Sequence, residues 1–253
     1  MLNVVTVTHP GAVRPTNEDV VLWDADLGLI AVADGMGGHN AGEVASRMAV
    51  DEVRAMLQAD LSKDGWPFGF VESLGVHGNR VHTAILAANR KVFAAGRKDA
   101  AHAGMGTTLT VALIEDRTMW LGSVGDSRLY IKPAGGALQL RTHDDSVVDL
   151  LRQDPAIKTL AMLNRPMQHL LTSAIGPKPE ISVEIQTIEL SDGDLLLLTT
   201  DGMHGPVGDE VMDMILDDGT LDLQIAANHL LDAALGAGGR DNITIALGRF
   251  TRG

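Results

Sequence analysis

Six acidic residues stand out by what surrounds them. Glu18 and Asp19 close the run Arg14-Pro15-Thr16-Asn17-Glu18-Asp19, Asp34 opens Asp34-Gly35-Met36-Gly37-Gly38-His39, Asp126 lies between Gly125 and Ser127, Asp201 lies between Thr200 and Gly202, and Asp241 between Arg240 and Asn242. Each reads as a turn residue abutting an apolar strand, and strands of one sheet can gather such ends across large sequence separations. Carboxylates collected at a buried edge cannot all stay ionised unless cations neutralise them, so the cluster implies metal ions or raised pKa values. The chain has no cysteine, and oxygen-only ligands select Mg²⁺ or Mn²⁺ over zinc. Two such ions sharing a bridging carboxylate would turn water into a nucleophile at neutral pH and clamp a phosphoryl group for in-line attack. The fork of Arg14 could hold the remaining phosphate oxygens, or it could form a surface ion pair with the neighbouring acids.

The elements that must position these groups can be read from periodicity. The apolar run Leu29 to Ala33 reads as a buried strand that breaks at Asp34-Gly35, and the glycines there let backbone carbonyls approach whatever binds beside the Asp34 carboxylate. Taken alone, Asp-Gly is an ordinary turn into the helix expected near Glu43, and the other acidic turns are what give it weight. Strands are expected at Leu2 to Thr8, Val20 to Trp23, Val183 to Leu190, Leu195 to Thr200 and Ile243 to Phe250. A three-strand antiparallel meander is expected over Thr107 to Ile114, Met119 to Val124 and Leu129 to Ile131. Helices follow from apolar residues at helical spacing: Ala45 to Leu57, a second from about Asn79 to Val92, one from about Asp209, and Leu223 to Ala234 closed by the glycine cluster at 236–239. The stretch from Thr142 to Gly176 departs from this rhythm, with a short helix expected at Ser146 to Gln153.

Composition narrows the class. A chain of 253 residues that is 45% apolar buries a real core and fits one domain, 1–253. A net charge of −13, only 3% aromatics and the lack of a Lys/Arg run argue against nucleic acid. The apolar runs are too short to span a bilayer and the amino terminus lacks a signal-peptide pattern, so the expectation is a cytoplasmic monomer with no membrane partner.

The ordered set Arg14-x-x-Asn17-Glu18-Asp19, Asp34-Gly35-Met36-Gly37-Gly38-His39, Gly106-Thr107-Thr108, Gly125-Asp126-Ser127-Arg128, Thr200-Asp201-Gly202 and Arg240-Asp241-Asn242-Ile243-Thr244 resembles the protein phosphatase 2C family of metal-dependent serine/threonine phosphatases, in its short bacterial form. The resemblance implies an α+β fold, a four-layer αββα sandwich of two antiparallel sheets flanked by helix pairs. It implies two Mn²⁺ or Mg²⁺ ions, bridged by Asp34, with Asp201 and Asp241 completing one, and the Gly35 carbonyl with Glu18 or Asp19 completing the other. A third, weaker ion would involve Asp126. It implies substrates phosphorylated on serine or threonine, a cognate kinase among them.

Two positions depart from the family pattern. Met36 stands where eukaryotic members carry the histidine thought to protonate the leaving group, so His39 either substitutes for it or is a solvated turn residue. The flap block, commonly Thr-x-Asp-His-Ser, is here Thr142-His143-Asp144-Asp145-Ser146, which opens a flap subregion over 142–176 without that histidine. A different class of function also fits, a pseudophosphatase that binds phosphoproteins or regulates a kinase without turnover.

Overall fold

The computed structural model describes residues 1–37, 41–61, 65–147, 170–217 and 222–252. Its strands are β1 (Leu2–His9), β2 (Asp19–Asp24), β3 (Leu29–Met36), β4 (Gly106–Thr107), β5 (Leu109–Glu115), β6 (Thr118–Val124), β7 (Arg128–Lys132), β8 (Gln139–Leu140), β9 (Ile185–Glu189), β10 (Leu195–Thr199) and β11 (Ile243–Phe250). Its helices are α1 (Ala41–Gln58), α2 (Gly75–Lys98), α3 (Asp201–Val207), α4 (Asp209–Ile215) and α5 (Leu223–Gly236). One antiparallel sheet runs β1-β11-β10-β7-β8, and the other runs β2-β3-β5-β6-β9 with β4 paired to the end of β3.

The strand sequences explain the layering. In β3, Leu29, Ala31 and Ala33 face the α1/α2 layer while Ile30 and Val32 face the opposite sheet. In β10, Leu195 and Leu197 face α3 to α5 while Leu196 and Leu198 point between the sheets. Side chains alternate across a strand, so a strand covered on both faces reads as an unbroken apolar run, which is why these strands show no polar alternation. The outcome is the four-layer αββα sandwich expected from the resemblance, with Ile30, Val32, Leu121, Leu129, Leu196 and Leu198 in the core between the sheets. On α1, Ala45, Ala49, Val53 and Leu57 are buried against the sheet, and Met48 and Met56 pack at the margin of that core.

Four expectations need correction. The strand through Leu29 does not break at Asp34: β3 continues to Met36 because Gly35 and Met36 pair with Thr107 and Gly106. There is no three-strand meander, because Gly125, with φ of 103°, turns the chain out of its sheet and β7 pairs with β10 in the other sheet. The second helix starts at Gly75, a turn before Asn79, with the Asn79 side chain holding Val71 and Gly75 backbone groups. Asp201 is not a turn residue, since it opens helix α3. The helix expected over Ser146 to Gln153 and most of the 142–176 subregion lie outside the described residues.

One buried group on α3 ties the fold to pH. His204 is 6% exposed, its Nδ1 lies 2.9 Å from Thr199 Oγ1, and burial together with the Arg128 charge pushes its pKa down to about 4. The unfolded chain titrates this histidine near 6.5, so between those values the unfolded state holds the extra proton. Stability from this group is complete above about 6.5 and is lost as pH falls toward about 4, on the order of 3 kcal/mol in total. His204→Gln should flatten the difference in unfolding free energy between pH 7 and pH 4.5, measured by urea titration; an unchanged pH profile would mean the imidazole is not the titrating group.

Candidate active site

The sandwich brings the acidic residues to one end of the two sheets. Arg14, Glu18, Asp34, Gly35, Asp126, Asp201 and Asp241 all line one cavity of about 390 Å³, with Met36 and Leu171 at its wall. Asp126, Asp201 and Asp241 also border an adjoining cavity with Arg128 and Asp144. Glu18, Asp126 and Asp241 stand between elements, as the turn reading requires, whereas Asp19 and Asp34 lie within paired strands, opposite one another in register. His39 lies outside the described residues.

Asp19 behaves differently from its neighbour. It is 6% exposed and does not line the cavity; its Oδ2 accepts a hydrogen bond from Thr200 Oγ1 at 2.8 Å, while Oδ1 is buried with no hydrogen-bond partner among the described residues. Burial, above all, raises its pKa to about 7, with the Asp201 and Asp241 charges adding to it. Asp34 is held well above the ordinary carboxylate range by burial and then by the charges of Asp19, Asp201, Asp126 and Asp241. Burial also raises Glu18, partly offset by Arg14. A set of carboxylates this costly to ionise together is stabilised by a cation placed among them.

Hydroxyls and amides fix the frame. The Asp34 amide donates to Thr108 Oγ1 at 2.8 Å, and the Asp34 carbonyl accepts from Thr107 Oγ1 at 2.8 Å. Thr108 Oγ1 in turn shares a hydrogen bond with Ser127 Oγ at 2.7 Å, which locks the Asp126 turn to β3. Asn242 is the staple of the opposite wall: its Nδ2 donates to the carbonyls of Pro10 and Thr16 at 2.9 and 2.8 Å, and its Oδ1 accepts from the Glu18 amide at 2.8 Å. Gly35 has no room for a side chain, because a Cβ there would stand 2.2 Å from the Gly42 carbonyl oxygen. Reading by residue type finds the charged groups but passes over Thr108, Thr200 and Asn242; the signal for them is their place inside the family-like motifs Gly-Thr-Thr, Thr-Asp-Gly and Arg-Asp-Asn.

Arg14 does not pair with Glu18 or Asp19. Its Nη2 donates to Asp241 Oδ2 at 2.8 Å, and both side chains remain substantially exposed, 54% and 38%. The flap block's departure also acquires a partner. Asp145, which stands at the family's histidine position, accepts from the Gly125 amide at 3.0 Å, while its own amide donates to the Gly125 carbonyl at 2.8 Å. Asp144 receives a fork from Arg128 at 2.9 and 2.7 Å. The start of the 142–176 subregion is therefore anchored to the turn that carries Asp126.

Among the described residues no three Asp, Glu or His side chains already form a closed metal-ligand group. They line a shared cavity instead. The donor set itself suits hard divalent cations: every candidate ligand lining the cavity is oxygen, and Gly35 presents bare backbone there with no room for a side chain.

Residues 15–220 match the sequence profile of protein phosphatase 2C. The chain belongs to the protein phosphatase 2C family. It is 32% identical over 250 residues to protein phosphatase PhpP of Streptococcus pneumoniae serotype 2 (strain D39), covering 97% of this chain and 96% of that one. The crystal structure of the Mycobacterium tuberculosis serine/threonine phosphatase PstP/Ppp superposes with a TM-score of 0.84 at 30% identity, over 99% of each chain. A structure of the PstP catalytic domain in complex with two manganese ions superposes with a TM-score of 0.83 at 32% identity, over 99% of this chain and 98% of that one. The chain is thus a member of a family of protein phosphatases, and its sandwich is the fold of bacterial members of that family.

Proposed function

We propose that residues 1–253 form one metal-dependent phosphatase domain that hydrolyses phosphoserine and phosphothreonine in proteins by direct attack of water. The observation that carries the proposal is the convergence of Arg14, Glu18, Asp34, Asp126, Asp201 and Asp241 on one cavity from five separate stretches of chain. Two Mn²⁺ or Mg²⁺ ions bound there would supply Lewis acidity, activating water and neutralising phosphate charge. In this reading Asp34 is shared between the two positions, Asp201 and Asp241 serve one, and the Gly35 carbonyl with Glu18 serves the other. Glu18 is favoured over Asp19 because it lines the cavity while Asp19 is tied from behind by Thr200. Asp126 serves a third, weaker position. Met36 at the wall cannot donate a proton, so the leaving serine or threonine oxygen is assigned to His39.

Phosphorylated proteins, a cognate serine/threonine kinase among them, are the proposed partners, and a cytoplasmic monomer the proposed form. Among the described residues no helix is long and apolar enough to cross a membrane.

Arg14 has a defined role in this proposal. It releases Asp241 and takes two substrate phosphate oxygens, a charge-assisted bidentate contact. Arg14→Ala should then lower kcat/KM on a phosphothreonine peptide roughly 30- to 150-fold, about 2 to 3 kcal/mol, with Mn²⁺ affinity by calorimetry little changed. If Arg14 is only the exposed partner of Asp241, the substitution shifts stability by at most about 1 kcal/mol and leaves the kinetics alone. A wild-type protein that binds Mn²⁺ and the peptide but releases no phosphate would favour the pseudophosphatase reading.

A further inference from the structure

The acidic balance of the chain hides one strongly basic element. Helix α2 carries Arg80, Arg90, Lys91, Arg97 and Lys98 and no Asp or Glu at all, in a chain of net charge −13. Arg90 and Arg97 are seven positions apart, two helical turns, and so share a stripe. Both are exposed and both lie over aromatic rings, Arg90 at 4.7 Å from the Phe68 centroid and Arg97 at 6.0 Å from that of Phe93. In a chain with so few aromatic residues, two arginines thus lie over rings. An exposed guanidinium beside a ring still has N–H donors that a carboxylate can take. Lys91 is neutralised by Glu52 at 2.6 Å, but among the described residues Arg90, Arg97, Lys98 and Lys178 enter no ion pair. The acids bordering them in sequence are Asp99, which faces His102, and Glu180.

This strip is connected to the cavity. Asn89, beside Arg90, binds the Gly176 amide through Oδ1 at 2.8 Å and the carbonyls of Lys178 and Pro179 through Nδ2 at 3.1 and 3.2 Å. The same segment begins at Leu171 in the cavity wall and pairs through Ile175 with Thr107, whose hydroxyl holds the Asp34 carbonyl. From Leu171 to Lys178 the backbone spans at most about 25 Å, within reach of a substrate chain of some eight residues.

From the arginines of α2 that lie over rings and enter no ion pair among the described residues, and from their chain connection to the Asp34 cavity, we infer that Arg90, Arg97, Lys98 and Lys178 form a docking strip for an acidic segment of the phosphoprotein substrate, five to ten residues from its phosphorylated residue. The inference rests on the phosphatase reading and adds the substrate class. A strip of like charge beside an acidic active-site end raises encounter with acidic chains and holds them by several weak, salt-sensitive contacts.

The test compares wild type with the R90A/R97A/K98A variant on three substrates with Mn²⁺: a phosphothreonine peptide with acidic blocks five to ten residues to either side, the same peptide with those acids replaced by glutamine, and p-nitrophenyl phosphate. Wild type should show a KM for the acidic peptide roughly tenfold below that for the glutamine peptide. The preference should shrink as salt is raised and vanish in the variant. Turnover of p-nitrophenyl phosphate and kcat on the peptides should stay unchanged. Equal KM values in wild type, or a preference that survives in the variant, would overturn the inference. So would binding of phosphatidylserine vesicles or duplex DNA, lost in the variant, in place of the acidic peptide. Fluorescence anisotropy of the same labelled peptides reads the strip independently of turnover, so a protein that hydrolyses nothing yet prefers the acidic peptide would fail the phosphatase reading and keep the strip.

Discussion

With EDTA in excess over divalent cations, release of phosphate from a phosphothreonine peptide falls to background, and excess Mn²⁺ or Mg²⁺ restores it. The expectation follows from what the site lacks among the described residues. The chain has no cysteine, and Ser127, the serine nearest Asp126 in sequence, is buried with its Oγ engaged by Thr108. In the proposed reading water is the nucleophile, and neutral water attacks a phosphate ester far too slowly without activation. A carboxylate base could be imagined in place of cations, but the carboxylates here are already hard to ionise together, with Asp19 raised to about 7 and Asp34 beyond the ordinary range. Cations among them relieve that repulsion as well as activating water. A second readout follows, since a ligand bound only to the folded state at a hundred times its dissociation constant adds about 2.7 kcal/mol to unfolding. Full turnover in EDTA, with no Mn²⁺-dependent rise in Tm, would end the metal-dependent reading.

How much of this was legible depended on whether the information was local. Strand and helix existence followed from apolar patterning, and acid-rich turns marked the site's charged groups. What the pattern concealed was pairing. Asp34 looks like a turn residue because Gly35 and Gly37 follow it, yet Thr107 and Gly106, some seventy residues on, pair with Gly35 and Met36 and extend the strand. The crossing of β7 to the second sheet is set by Gly125 and by its match to β10, neither of which has a period to read. Arg14 was weighed against Glu18 and Asp19 because they are near in sequence, whereas its contact is Asp241. Asn242 binds three backbone groups and so organises the wall without carrying charge. Long-range polar contacts of this kind leave no local trace, and the family resemblance reached them only as unassigned letters in motifs. The charge asymmetry of α2 was present in the letters too, but a search for long Lys/Arg runs passes over two Arg-Lys pairs seven positions apart.

Asp34→Asn should show opposite effects on stability and on catalysis. Asparagine keeps the shape of the side chain and removes its charge, so the change isolates the electrostatic role. A carboxyl group whose folded pKa is raised holds more protons in the folded than in the unfolded state. Its contribution to stability is therefore lost as pH rises from the ordinary carboxylate value through the raised one. In EDTA at pH 7 the wild type carries this penalty and the variant does not, so Asp34→Asn should unfold at the higher temperature. Saturating Mn²⁺ should reverse the order, because the cations stabilise the wild type through Asp34 and find a neutral, weaker ligand in the variant. Turnover in Mn²⁺ should fall by roughly a thousandfold or more, about 4 kcal/mol of transition-state stabilisation, since in the proposed site one carboxylate serves both cation positions. Calorimetric titration should show fewer or weaker Mn²⁺ binding events. If Asp34 were a strand-end acid of no functional weight, the variant would be more stable in EDTA and equally so in Mn²⁺, with kcat preserved. The crossing of the two melting curves with added metal distinguishes these cases without reference to activity, and the kinetic loss then assigns the same carboxylate to the reaction.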